Sequence, residues 1–321
     1  MTEVQVSETS VVSGLLDFVA KDVVPREEAI AGVLESAAAV PGRRLGSADG
    51  RAGAQGSTRP AASAGYYQMF CPESIGGGGL PMRLSVLCWE ALHHEYGPGE
   101  RLMYGTISHW ASGPSALWTE VNDHLATNVR PKVVGGRVAG CFGMSEPQAG
   151  SDAWGMQTRA VRDGDTWNIS GTKQWTSFAH SADYILLFAV TDPGLVEQRR
   201  GGVTAFYVPM DTEGVRLESV IPMFDEIGGR EAIISFDNVR VPDEQRFGPL
   251  DQGFTLAMQG ASQGRLYNAG RCIGLARWAL ERSVEYANSR HAGGKAIAEH
   301  QAVQHSAAAA LGACRSSLRA R

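Results

Sequence analysis

The sequence predicts an α+β fold: an N-terminal helical domain, a central small β-barrel or sandwich, and an incomplete C-terminal helical bundle. Three observations predict it. Apolar residues recur at three- and four-residue spacing before Lys132 and again after Pro242. Between Val138 and Val241 the period falls to two, in short runs cut by Gly, Pro and Asp. At 321 residues the chain is long enough to bury a sizeable core around this α–β–α order.

The first domain is expected over residues 1–132. Val11, Leu15, Phe18, Val19 and Val23 mark a helix that Pro25 should close. Residues 41–65 are rich in Gly, Ala, Ser and Arg, and read as irregular. Leu84, Leu87, Cys88, Ala91 and Leu92 mark a second helix, stopped at Gly97-Pro98. A third is expected from Met103 to Trp118. The β-domain is expected over 133–245. Alternation from Met156 to Arg162, the turn Asp163-Gly164-Asp165 and alternation through Trp167 to Ser170 form a hairpin signal. Tyr184–Thr191 is a near-continuous apolar run, as a strand buried on both faces would be. Val203–Val208, Val215–Val220 and Ala232–Val241 complete the set. Over 246–321, Leu266, Ile273, Ala276, Leu280, Val284 and Ala287 share one face of a long helix. A second helix starts near Ala298. The tail Ala307–Arg321 lacks the apolar spacing of a bundle helix, so a truncated bundle is expected.

Composition excludes several classes. A net charge of -5 with no basic run offers nothing to nucleic acid or an anionic membrane surface. No apolar run is long enough to span a bilayer, and the polar N-terminus lacks a signal-peptide pattern. Five irregularly spaced cysteines, with no CxxC pair, read as reduced thiols of a cytoplasmic protein and not as disulfides or a metal site. His93-His94 has no ligand partner pattern. Gly76–Gly79 lacks the Lys-Ser/Thr of a phosphate loop and reads as a turn.

Four segments carry the functional signal. Residues 141–152 read Cys-Phe-Gly-Met-Ser-Glu-Pro-Gln-Ala-Gly-Ser-Asp, and 173–177 read Lys-Gln-Trp-Thr-Ser. Phe236–Pro242 and the segment from Gly253-Phe254 through Arg290 follow in order. Together, from Ser74 to Gln304, they resemble the acyl-CoA dehydrogenase family.

The resemblance implies FAD, held by Phe142, Met144, Ser145, Ser151, Trp175, Thr176 and Ser177. A flavin needs a flat apolar wall, which Trp175 can supply, and edge donors, which Ser145, Ser177 and nearby backbone N–H groups can supply. The turn Ala149-Gly150-Ser151 can offer N–H groups to the pyrophosphate. By resemblance, Ser151 also lies near the acyl-CoA and Arg265 near the thioester. Arg290, His300 and Gln301 match residues that reach the FAD of a neighbouring subunit, although Ala292-Gly293-Gly294 stands where the family commonly has Thr-Phe-Gly.

The implied reaction is α,β-dehydrogenation of an acyl-CoA or other acyl thioester, in fatty acid metabolism, with electron-transfer flavoprotein as the electron acceptor. A homo-oligomer, or a hetero-oligomer with a homologue, is implied as well. No catalytic base is identified. Most relatives carry a Glu near the C-terminus, beyond the match here, and a minority carry it where this chain has Gly264. Three readings follow: a truncated dehydrogenase, a non-catalytic or half-site subunit beside a complete homologue, or a flavin-dependent oxygenase of the same fold.

Overall fold

Ser7 caps the first helix. Its hydroxyl accepts from the Ser10 amide at 3.1 Å, and α1 (Glu8–Phe18) follows. The computed structural model describes residues 7–29, 56–98, 102–223 and 226–319. Leu15, Val19 and Val23 form the buried stripe that their spacing predicts. Pro25 does not end the helix. Residues 19–23 widen into a π-turn, the Val24 amide bonds the Val19 carbonyl, and the helix runs on to residue 29. The wider turn relieves the clash between a proline ring and the carbonyl four residues back.

The irregular stretch expected at 41–65 needs correcting. Residues 41–55 lie outside the described residues, and 56–63 form a helix, α2. No large apolar residue is needed there, because neighbours approach to backbone distance. Ser57 is fully buried and donates to the Leu102 carbonyl at 2.6 Å, while Thr58 donates to the Gly136 carbonyl at 3.3 Å. A Cβ at Gly105 would lie 2.2 Å from the Ser57 hydroxyl.

The helix expected over Met103–Trp118 is also corrected. Only 3-10 turns form, at Leu102–Gly105 and Ala116–Thr119. Gly113 and Pro114 interrupt the pattern, and the Ser108 amide bonds the Tyr67 carbonyl at 2.8 Å instead of a helical partner. The expected helix at 84–97 is present as α3 (Met82–Tyr96), ended by Gly97 at φ 67°. Two short helices, α4 (Asp123–Asn128) and α5 (Arg130–Val134), lead into the sheet.

The strands are β1 (Gly140–Gly143), β2 (Arg159–Asp163), β3 (Thr166–Ser177), β4 (Tyr184–Val190), β5 (Val203–Pro209), β6 (Val215–Met223), β7 (Glu226–Pro242) and β8 (Arg246–Phe247). All eight join one sheet in the order β6-β7-β3-β2-β4-β5-β8, with β1 parallel to β4. The expected hairpin is β2–β3, with Asp163 opposite Thr166 and Gly164 at φ 59° in the turn. A one-turn helix, α6 (Pro193–Glu197), links β4 to β5.

β4 shows how the sheet is buried on both faces. Ile185, Leu187 and Ala189 meet Trp167, Phe206, Ile234 and Val241, so the sheet curls around its own side chains. Tyr184, Leu186, Phe188 and Val190 point the other way and pack with Trp118, Leu125 and Leu256 of the helical parts. The barrel-or-sandwich expectation thus takes the form of one curled sheet.

The long helix α7 (Gly253–Ser289) has 37 residues, which makes it roughly 55 Å long. It meets α3 backbone to backbone. A Cβ at Gly270 would lie 2.5 Å from the Val86 carbonyl oxygen, and one at Gly274 would lie 2.3 Å from that of Glu90. A small hairpin, β9 (His291–Ala292) and β10 (Lys295–Ala296), then turns the chain into α8 (Gln301–Arg319). Among the described residues no helix is long and apolar enough to cross a membrane.

Candidate cofactor and substrate site

The alternation of β3 sends Trp167, Ile169 and Lys173 into the protein. A lysine in that phase needs an anion, and Glu146 supplies it. Lys173 Nζ lies 2.7 Å from Glu146 Oε1, with both side chains almost fully buried. Nζ also donates to the Met144 carbonyl at 3.0 Å. The Glu146 carboxylate accepts three more bonds, from the Gln157 amide at 2.7 Å, the Thr158 amide at 3.0 Å and Gln148 Nε2 at 2.7 Å. A single carboxylate therefore ties both ends of the loop 144–158 to β3. Burial raises the Glu146 carboxyl, but the lysine and the amide donors outweigh it, and the group is held below its ordinary value. Burial pulls Lys173 down to about 8, against the attraction of Glu146.

Above this pair the ladder between β3 and β7 slips. Lys173 faces Ile234, whereas Thr176 faces Ala232, so Gln174 and Trp175 form a bulge. Trp175 adopts φ 63°, a left-handed conformation that a bulky residue rarely takes. The bulge turns its indole outwards, leaving it 51% exposed. The Gln174 amide bonds the Ser145 carbonyl at 2.9 Å, which closes β3 onto the loop. Phe142, Met144, Ser145, Trp175, Thr176 and Ser177 thus lie in one neighbourhood. Ser151 is exposed on the outer turn of the same loop, and a Cβ at the adjacent Gly150 would meet nothing within 4 Å.

The side chains divide by phase. Trp175 and Ser177 face out, and the Thr176 side chain faces in, 1% exposed with its hydroxyl unbonded among the described residues. Only the Thr176 backbone can serve the outer face. The Ser177 hydroxyl donates at 2.9 Å to both oxygens of Glu231 on β7, a neighbour that motif reading alone does not reveal.

Phe142 connects the cradle to the helices. Trp110 meets its ring edge-on at 4.7 Å and lies across α7 at Gly260 and Gly264. A Cβ at Gly264 would be 2.6 Å from Trp110 Nε1, so the position where a minority of relatives carry a carboxylate is filled here by indole. The next residue, Arg265, is exposed at this level of α7.

Arg290, His300 and Gln301 are elsewhere. Arg290 ends α7, 25 residues beyond Arg265, or roughly 37 Å along the axis. His300 Nε2 pairs with the Ala292 carbonyl at 3.3 Å within the β9–β10 turn, and Gln301 is exposed. The expected residues therefore form a cradle, a mid-helix arginine and a distant hairpin group. The stabilising pair Glu146–Lys173 was legible in principle, because Lys173 falls on the inward phase of an alternating strand. Trp110 and Glu231 carried no such signal.

Comparison with known proteins agrees with this layout. The acyl-CoA dehydrogenase middle-domain model matches residues 141–239, and the C-terminal-domain model matches 251–319. A subunit of the caffeyl-CoA reductase–Etf complex of Acetobacterium woodii is 31% identical over 239 residues, covering 74% of this chain and 62% of that protein. The short-chain specific mitochondrial acyl-CoA dehydrogenase of Homo sapiens is 32% identical over 240 residues, covering 75% and 57%. The chain thus spans about three-fifths of the length of these relatives. A glutaryl-CoA dehydrogenase from Mycobacterium smegmatis, solved in complex with FADH2, superposes with a TM-score of 0.74 at 23% identity, covering 97% of this chain and 73% of that one.

Proposed function

The chain belongs to the acyl-CoA dehydrogenase family, and on that premise we propose that it binds FAD in the β1–β3 cradle and dehydrogenates an acyl thioester at the α and β carbons. The observation that carries this reading is the outward indole of Trp175, held at φ 63° on a bulge braced by Glu146 and Lys173. Strain of this kind persists only where the surroundings enforce it, and it points to a binding role.

The residues present fit a flavin. Trp175 offers a flat face and Ser145 an edge hydroxyl, and the open turn at Gly150-Ser151 leaves room for a diphosphate. Bound there, the flavin would supply the acceptor for the β hydride. Lys173 and Glu146 keep the loop fixed while it is loaded. Ser177, oriented by Glu231, presents its oxygen beside the indole. Arg265 lies one indole away from Phe142 and suits the thioester or its phosphates. Arg290, His300 and Gln301 are too far along α7 to serve their own cradle, which supports their service to a neighbouring copy in an oligomer. The Etf-complex relative supports an electron-transfer flavoprotein as acceptor.

The test is an absorption spectrum of the purified chain before and after anaerobic addition of a panel of acyl-CoAs. A yellow protein that bleaches with an acyl-CoA supports the proposal. A protein that takes up no flavin sinks it, and one that holds flavin without bleaching supports the non-catalytic subunit instead.

A further inference from the structure

A cavity lies between α3, the segment 108–115 and α7, separated from the flavin cradle by Trp110. Its walls include Met82, Trp89, Trp110 and Tyr267. Its volume is about 30 Å³, close to the share of one liquid water. Two polar side chains line this mostly aromatic space. His109 Nδ1 accepts from the Ala111 amide at 3.3 Å, which puts the ring proton on Nε2. That Nε2–H has no acceptor among the described residues. The Gln263 amide has no partner among them either. Both are donors on the lining of the same space.

Behind Tyr267 sits a cation. Arg271 donates to the Tyr104 hydroxyl at 2.6 Å, to the Tyr267 hydroxyl and to His93 Nε2 at 3.3 Å, and it stacks over the Tyr104 and Tyr267 rings at 4.8 and 5.1 Å. Among the described residues no carboxylate pairs with it. Burial lowers His109 to about 4, and the Arg271 charge adds to this, so the imidazole is neutral and acts purely as a donor at Nε2. Donors without acceptors beside an uncompensated cation make the cavity suited to an anion and poor for an apolar chain end.

We propose that this cavity receives the far end of the acyl group and that the end it fits is a carboxylate, held by His109 and Gln263 in the field of Arg271. The substrate is then a short acyl thioester with an acidic terminus. This rests on the acyl-thioester reading above and names the substrate class within it. The small volume favours a compact terminus, and the ring of aromatic walls excludes a long aliphatic tail.

The experiment is calorimetric titration of the flavin-loaded chain with succinyl-CoA, butyryl-CoA and free CoA. The two esters have the same number of acyl carbons and differ by the terminal carboxylate. Succinyl-CoA should bind about tenfold tighter or more, as expected for a charge-assisted hydrogen bond. In His109→Phe and in Gln263→Leu the succinyl-to-butyryl affinity ratio should fall towards one. Gln263 lies on a partly exposed helical face that accepts leucine, so that variant remains informative if His109→Phe fails to fold. Butyryl-CoA binding as tightly as succinyl-CoA, or a ratio unchanged in a folded variant, overturns the proposal. If neither ester binds more tightly than free CoA, the acyl-thioester reading itself falls and takes this one with it.

Discussion

The cradle on β3 and the hairpin group at the far end of α7 hold their functional candidates in opposite ways. In the cradle a fully buried lysine and glutamate brace a strained bulge, and each polar atom of Glu146 is committed to the loop. In the hairpin, His300 bonds only a nearby carbonyl, while Arg290 and Gln301 lie open to solvent. A residue that must hold a ligand unaided is fixed from beneath. A residue whose work lies on another surface can be left for that surface to order.

The strongest test of this contrast is Lys173→Met. It leaves the Glu146 carboxylate buried without its cation, which should cost about 3–5 kcal/mol in urea unfolding and release flavin as loop 144–158 loosens. Exchanging Glu146→Gln as well should recover part of the loss. The pH dependence follows from the sign of the shift. The folded Glu146 binds its proton less readily than the unfolded chain does, so its contribution is present above its ordinary value of 4.5 and disappears as the pH falls through the lower folded value. The stability gap between the parent and Glu146→Gln should close as the pH drops below 4.5.

A smaller effect is expected at Gly264. A leucine there would be driven into Trp110, costing about 1–3 kcal/mol in thermal melts. Adding Trp110→Ala should restore much of it. If Gly264→Leu alone is silent, the indole does not occupy that position as described.

Trp175→Gly should sharpen the contrast by moving two readouts apart. Removing a left-handed tryptophan relieves strain, partly offset by glycine's extra chain entropy, for a net gain of about 1 kcal/mol or less. Flavin affinity should fall at the same time. A variant that loses stability while keeping its flavin would show that the indole is a packing residue. The weakest effect belongs to Arg290→Ala, within about 0.5 kcal/mol of the parent chain. Were it as damaging as Lys173→Met, the distinction between the two regions would be lost.

Much of this was legible in the sequence where periodicity is clean. The β2–β3 hairpin, the doubly buried β4 and the long α7 follow from alternation and helical spacing. What failed did so for identifiable reasons. The helix at 56–63 is made of small residues, whose burial depends on Gly105 and Gly136 in other segments, and no local pattern reports that. The apolar residues from Met103 to Trp118 mimic a helix, yet Gly113 and Pro114 break it and Tyr67 claims the Ser108 amide. At the site, the motifs bring 142–151 and 175–177 together. The inward side chain of Thr176 arises from a bulge that no spacing announces.

The glycines that join α3 to α7 have a mechanical consequence. With Gly270 and Gly274 seated against the Val86 and Glu90 carbonyls, the two helices are keyed like a shaft in its slot. An axial slip of one residue would push a side chain into a peptide oxygen. Whatever rearrangement accompanies ligand entry must therefore come from ring rotations and the non-helical segment 106–115, with the helix pair serving as the fixed frame against which they move.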